Sequence, residues 1–323
     1  METATEVTSS TLAEVPAASL WEKVRGHAIT RLVLGAAMPF AIQIAVMAAL
    51  HGSMAIPAFA QWINASSRVS DVPLPIVVIS GLAVALLAIP AYRLLVRWTE
   101  RREATELGVA GAGRGLLFGV GIGAGLMVVV VGLLWALGSY RVIGSNPASV
   151  MLAPLMIAIS SGVAEEILLR GVVFRIIEQS LGSVLALLAS ALLFGFGHMG
   201  NPGATVWSSL AIAVEAGLLL AALYMLTRSL WASIGAHFAW NLMLGGVFGI
   251  PVSGLQMDGW LRSTVSGPEW LTGGAFGVEA SVPTLVLATT VAVALLMRAK
   301  RAGNFVPFRW RLGGARRQRL QAG

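Results

Sequence analysis

Eight hydrophobic runs divide the chain, at about 32–50, 76–96, 116–137, 150–169, 184–196, 206–226, 230–250 and 282–297. A helix needs roughly 20 apolar residues to cross the hydrocarbon core of a bilayer. The pattern therefore predicts an all-α fold, a polytopic transmembrane bundle of about eight helices. The fifth run is the shortest, and Pro90 predicts a kink in the second. Ahead of the first run, Met1 to His27 is rich in Thr, Ser, Ala and Glu and has no apolar core. A secretory signal would start basic and continue apolar, so residues 1–30 read as a mobile cytoplasmic tail and the first run stays in the membrane. Residues 31–298 then form one integral membrane domain, and 299–323 a basic cytoplasmic tail.

Composition narrows the class further. Of the 323 residues 57% are hydrophobic and 11% charged, with a mean hydropathy of +0.81, whereas a soluble domain carries about 25% charge. The absence of cysteine excludes disulfides, thiolate metal sites, a cysteine nucleophile and a lipid-bearing cysteine. The net charge is +7, with Lys23 and Lys300 as the only lysines. That arginine bias reads as a GC-rich bacterial genome, and the location as a bacterial plasma membrane. Basic residues cluster before the first run (Lys23, Arg25, Arg31), between the second and third (Arg93, Arg97, Arg101, Arg102, Arg114), after the fourth (Arg170, Arg175), after the sixth (Arg228) and after the last. The opposite loops hold Arg68, Arg141 and Arg262. By the positive-inside rule both termini are cytoplasmic. The tail from Arg298 to Arg319, with Phe305, Phe308 and Trp310 among its arginines, is expected to lie on anionic lipid, each basic residue adding about 1 kcal/mol. Basic residues beside hydrophobic spans, with no soluble module to present them, exclude a nucleic-acid partner.

Polar residues inside the runs are few, and they carry the candidate chemistry. Glu165-Glu166-Ile167-Leu168-Leu169-Arg170 ends the fourth run, where a buried charge costs roughly 2.5 to 3.5 kcal/mol on insertion scales. Four apart on a helix, Glu166 and Arg170 share a face and pair, while Glu165 points about 100° away and is left for chemistry. His198 closes Phe194-Gly195-Phe196-Gly197-His198 just before the breaker Asn201-Pro202-Gly203, and His237 and Asn241 share one helical face of the seventh run. Either histidine alone reads equally well as interhelical hydrogen-bonding glue. Together the acids, histidines and Asn241 are satisfied only by meeting in one water-accessible cavity, expected in the cytoplasmic half of the membrane. Glu215 is a lone acid in the sixth run, for which glue or a supporting role fits as well as chemistry. Gly119, Gly121, Gly123 and Gly125 make two overlapping small-xxx-small pairs, a signature of close helix packing rather than of a phosphate loop.

In this order and spacing, Glu165-Glu166-x-x-x-Arg170, Phe194-x-x-x-His198 and His237-x-x-x-Asn241 resemble the CPBP family of intramembrane proteases, also called the CAAX protease and bacteriocin-processing or ABI family. The likeness covers about 150–250 and includes Arg170-Gly171 and Ser233-Ile234-Gly235-Ala236-His237. It implies hydrolysis of a peptide bond inside the membrane, with Glu165, Glu166, Arg170, His198, His237 and Asn241 as the catalytic set. It also implies a membrane-associated or lipid-modified peptide as substrate.

Amide hydrolysis needs an activated water, a proton carrier and stabilisation of a developing oxyanion. Glu165 suits the proton, His198 the water, and His237 with Asn241 the scissile carbonyl. The same residues admit a divalent metal such as zinc on Glu165, His198 and His237 with an open water position, and members of the family are commonly called metalloproteases. No His-Glu-x-x-His motif is present, which excludes zincin geometry. Ser160, Ser161 and Ser233 lie near the motifs without a helical partnership to a histidine and an acid together. Two other classes use the same residues: a proton-coupled transporter, which would be expected to show repeats, and a non-catalytic membrane partner or immunity-type protein retaining the protease fold. Counted at about 1.5 Å per residue, His198 falls toward the outside, away from Glu165. A re-entrant segment over 175–182, starting the fifth helix deep in the membrane, would remove the discrepancy.

Overall fold

The computed structural model describes residues 19–51 and 69–310; the expected tail over 1–18, Arg68 and the basic residues from Arg311 onward lie outside them. Helices occupy the predicted runs. A short α1, Leu20–Gly26, precedes α2, Ala28–His51; α3 is Leu74–Glu100 and α4 Ala112–Ala136. The next, α5, is Leu152–Glu166 continued by a π-helical stretch, Ile167–Phe174, and by Arg175–Leu181. Then come α6, Ser183–Gly197, and α7, which is Val206–Ile212, a π-helical stretch Ala213–Gly217 and Leu218–Thr227. Leu230–Asn241 with the π-helical stretch Leu242–Val247 is α8, and Val282–Arg301 is α9.

Among the described residues six helices are long and apolar enough to cross a membrane: α2, α3, α4, α5, α7 and α9. The chain is an integral membrane protein. Of the remaining two predicted runs, α6 has 15 residues, and α8 carries His237 and Asn241. Outward faces are apolar, as with Leu86, Leu94 and Leu117, which suits lipid rather than water.

Three expectations are corrected. The N-terminal tail does not extend to residue 30, because Ser19 and Glu22 form a reciprocal capping box that starts α1. The all-α pattern is interrupted by a two-stranded antiparallel sheet, β1 (Tyr140–Ser145) against β2 (Leu261–Val265), whose β-branched residues the helical reading passed over. Residues 175–182 are not re-entrant: α5 runs straight on to Leu181. Gly182 then turns the chain at φ +91°, and a Cβ there would lie 2.8 Å from the Pro307 carbonyl. That backbone and that contact both require glycine. The start of the segment after α9 packs against this turn: Val306 N–H donates to Ser183 Oγ and Asn304 Nδ2 to the Met225 and Leu226 carbonyls.

The corrected length removes the depth discrepancy. Glu165 lies sixteen residues before Leu181 and His198 fifteen after Ser183, about 24 and 22 Å back along antiparallel helices. Both reach one level.

Two devices hold the bundle. Gly119 and Gly123 of α4 meet the Ala232 and Ala236 carbonyls of α8, where added Cβ atoms would come within 1.9 and 2.2 Å, whereas Gly121 and Gly125 face open space. One of the two glycine pairs thus does the close packing. At the end that holds both described terminal segments, the Glu100 carboxylate accepts from Arg31, Arg102 and Arg175 at 2.6 to 2.9 Å. Arg175 is buried in that network, and Arg170 is buried against Glu166, so neither is the flanking surface charge that the arginine count assumed.

Candidate active site

The site forms where three π-helical stretches meet the motif residues: directly after Glu165-Glu166, around Glu215 and directly after Asn241. Each inserts one residue into a helix and turns the following side chains, a feature frequent at functional sites. Glu165, His198, His237 and Asn241 line one cavity of about 370 Å³. Phe40 of α2, Ile212 and Leu220 of α7, and Val252, Ser253 and Glu279 from the loops complete its wall. The cavity extends from the middle of the bundle toward the end away from the described termini, because Glu165 lies near the centre of α5 and loops of that far end cover it.

Glu166 is the hub. Its side chain is fully buried, and one oxygen, Oε1, accepts from Arg170 at 2.8 Å and from His237 Nδ1 at 2.9 Å. Arg170 also donates to the Gly217 carbonyl at 3.0 Å, capping the π-helical stretch of α7. With Nδ1 donating to a carboxylate, the His237 ring offers its Nε2 lone pair, which lies 3.9 Å from Glu165 Oε2. Glu165 is 35% exposed against 0% for Glu166, so it is the acid that meets solvent in the cavity. In the same way His198 Nδ1 donates to the Phe194 carbonyl at 2.7 Å, leaving Nε2 for the cavity. Asn241 Nδ2 donates to Ser161 Oγ at 3.0 Å.

Phe194, a motif marker in the sequence, is the surface on which these groups are assembled. Its ring centre lies 4.8 Å from the Arg170 guanidinium carbon, 5.0 Å from the His198 ring and 5.7 Å from the His237 ring. The guanidinium contact is a cation–π interaction.

Glu215 is fully buried, neither of its oxygens has a hydrogen-bond partner among the described residues, and it does not line the cavity. Sequence reasoning missed Glu279. This acid accepts from Trp240 Nε1 at 2.9 Å and from the Ser253 backbone N–H. Burial pushes its carboxyl above the usual value, against the Ser253 and Trp240 hydrogen bonds and the nearby His198. It stands in Gly277-Val278-Glu279-Ala280-Ser281 without a partner at helical spacing, so no local signal marks it.

The donor set does not fit zinc. Among the described residues no three His, Asp or Glu side chains gather closely enough to hold a metal ion. Glu165 and His237 approach each other, but Glu165, His198 and His237 do not form the compact tetrahedral set that zinc requires.

Residues 146–243 match the family model described as type II CAAX prenyl endopeptidase Rce1-like. No curated protein and no solved structure matches the chain significantly. The matched segment contains Glu165, Glu166, Arg170, His198, His237 and Asn241 and ends before Glu279.

Proposed function

From a chain whose segment 146–243 belongs to the CAAX protease, or CPBP, family, we propose an intramembrane endopeptidase that cleaves a membrane-associated or lipid-modified peptide with water activated by Glu165. One observation carries the reading: Glu165 Oε2 and His237 Nε2 stand 3.9 Å apart across a cavity, too far for a direct hydrogen bond and suited to a water between them. Glu165 takes one proton from that water, and His237 Nε2 accepts its second O–H and aims the oxygen. The oxygen adds to the scissile carbonyl carbon, and the oxyanion accepts from Asn241 Nδ2–H and from Nε2–H of His198, which acts here as the imidazolium, its Nδ1–H remaining on the Phe194 carbonyl. Glu165 then passes its proton to the leaving nitrogen as the C–N bond breaks, so one water yields one acid and one amine. His237 here takes the water-orienting part that sequence spacing gave to His198; the support is its fixed Nδ1–Glu166 contact. Arg170 acts through Glu166 and is a positioning residue.

The apolar wall, with Phe40 and Leu193 both on lipid-facing helices and in the cavity lining, favours a substrate delivered from the membrane. Both termini in the cytoplasm, a bacterial plasma membrane and an anionic-lipid contact for the basic C-terminal end complete the proposal. Its test is comparison of membrane peptides released by wild-type and Glu165→Gln protein. Products that disappear with Glu165→Gln support an endopeptidase; identical products refute it. A transporter would instead show altered pH dependence of transport, and a non-catalytic partner would keep its function.

A further inference from the structure

Two histidines on separate elements must keep a fixed separation if they are to act on one water and one carbonyl, and α6 ends just before His198. What fixes His198 against His237 is a strap of hydrogen bonds that passes through Ser253 and Glu279, two residues beyond the matched segment. From His237 and Asn241, the helix α8 presents Trp240, whose Nε1 donates to Glu279 Oε1 at 2.9 Å. Glu279 accepts the Ser253 backbone N–H on its other oxygen. Ser253 O in turn accepts from Asn201 Nδ2 at 2.9 Å, and Asn201 N–H donates to the His198 carbonyl at 3.0 Å. Ser253 holds φ +48°, a left-handed backbone costly for a side-chain-bearing residue, and it lines the cavity beside Glu279. The Glu279 segment is itself anchored, by Trp207 Nε1 on the Ala280 carbonyl and Thr284 Oγ1 on the Val278 carbonyl. We infer that Glu279 is a positioning residue for the proposed endopeptidase: it pins the Ser253 turn over the cavity and thereby registers His198 against His237 and Asn241.

The inference rests on the endopeptidase reading, and the test separates the two. In Glu279→Gln the side-chain oxygen still accepts from Trp240, but the NH2 group cannot accept the Ser253 N–H. Hydrogen exchange of peptides covering 250–257 in detergent should accelerate at least about tenfold, while α8 is unchanged. On a substrate found by the peptide comparison, kcat should fall on the order of 10- to 100-fold with KM within about threefold, as expected for misplacement rather than lost binding. Unchanged exchange, or faster exchange with unchanged kcat, overturns the inference. Should Glu279→Gln fail to fold, Asn201→Ala cuts the strap at its other end and must give the same loosening and the same kcat loss; normal kcat there also overturns it. A wild-type protein that cleaves nothing, in which Glu279→Gln still loosens the turn, refutes the endopeptidase and reduces Glu279 to a brace.

Discussion

Replacing Arg170 by alanine should damage the fold before it damages the chemistry. The guanidinium is wholly buried, donates to Glu166 and the Gly217 carbonyl, and lies on the Phe194 ring. Without it Glu166 remains in the core with His237 as its one side-chain partner among the described residues, where Glu166 Oε2 has none. Breaking a buried pair from one side costs about 3 to 5 kcal/mol, because the remaining charge is stranded. At 2 to 4 °C per kcal/mol, typical of chains this long, that is a fall in Tm of about 6 to 20 °C. Thermal unfolding of the purified protein in detergent measures it. A double replacement, Glu166→Gln with Arg170→Met, removes both charges and should recover most of the loss. It should not recover proteolysis, because His237 Nδ1 no longer meets a carboxylate. A melting temperature of Arg170→Ala within about 2 °C of wild type would refute the argument, since a fully buried carboxylate stripped of its guanidinium cannot be that cheap.

Glu165→Gln should melt like the wild type, its side chain being partly exposed, while the proteolytic rate falls by about 10²- to 10⁴-fold, the usual worth of a general base; product formation per folded protein is the measure. Gly123→Val drives a side chain into the Ala236 carbonyl, whereas Gly125→Ala meets nothing within 4 Å, so only the first should lower Tm in detergent. At the terminal end, burial raises the Glu106 carboxyl, but the Arg102 hydrogen bond and the Arg175 and Arg102 charges outweigh it and hold it below its usual 4.5. A depressed carboxylate stabilises the fold above that value and loses the contribution as pH falls through the folded-state pKa. Acid unfolding should therefore begin below about pH 4.5, and Glu106→Gln should flatten that limb of the stability curve. Because the chain has no cysteine, a single Thr105→Cys reports the side of its loop: an impermeant maleimide should label it in permeabilised cells and leave it unlabelled in intact ones.

What the sequence made legible was what local periodicity controls. The apolar runs were placed because a bilayer dictates their length, and Glu166 with Arg170 because a helix brings residues four apart together. The failures are of another kind. At α5, hydrophobicity ends near Leu169, yet the helix continues to Leu181 because Arg175 finds Glu100 on α3. A charge that is costly in lipid is tolerated against a partner from another helix, and only the tertiary structure names that partner. Ending the helix before Arg170 displaced His198 by a dozen residues' rise and called for a re-entrant segment over 175–182, where the chain is helical. The π-helical stretches are equally silent, since their cause is the packing of α5, α7 and α8 on one another and not any residue type. Glu279 is silent for a third reason: its partners, Trp240 and Ser253, come from a helix end and a loop, so no spacing along the chain relates them. A buried acid in an apolar context is nonetheless a physical demand for donors wherever it occurs. Asking that question of every such acid, including those at the edge of a run, would have directed attention to Glu279 even though its partners could be read only from the fold.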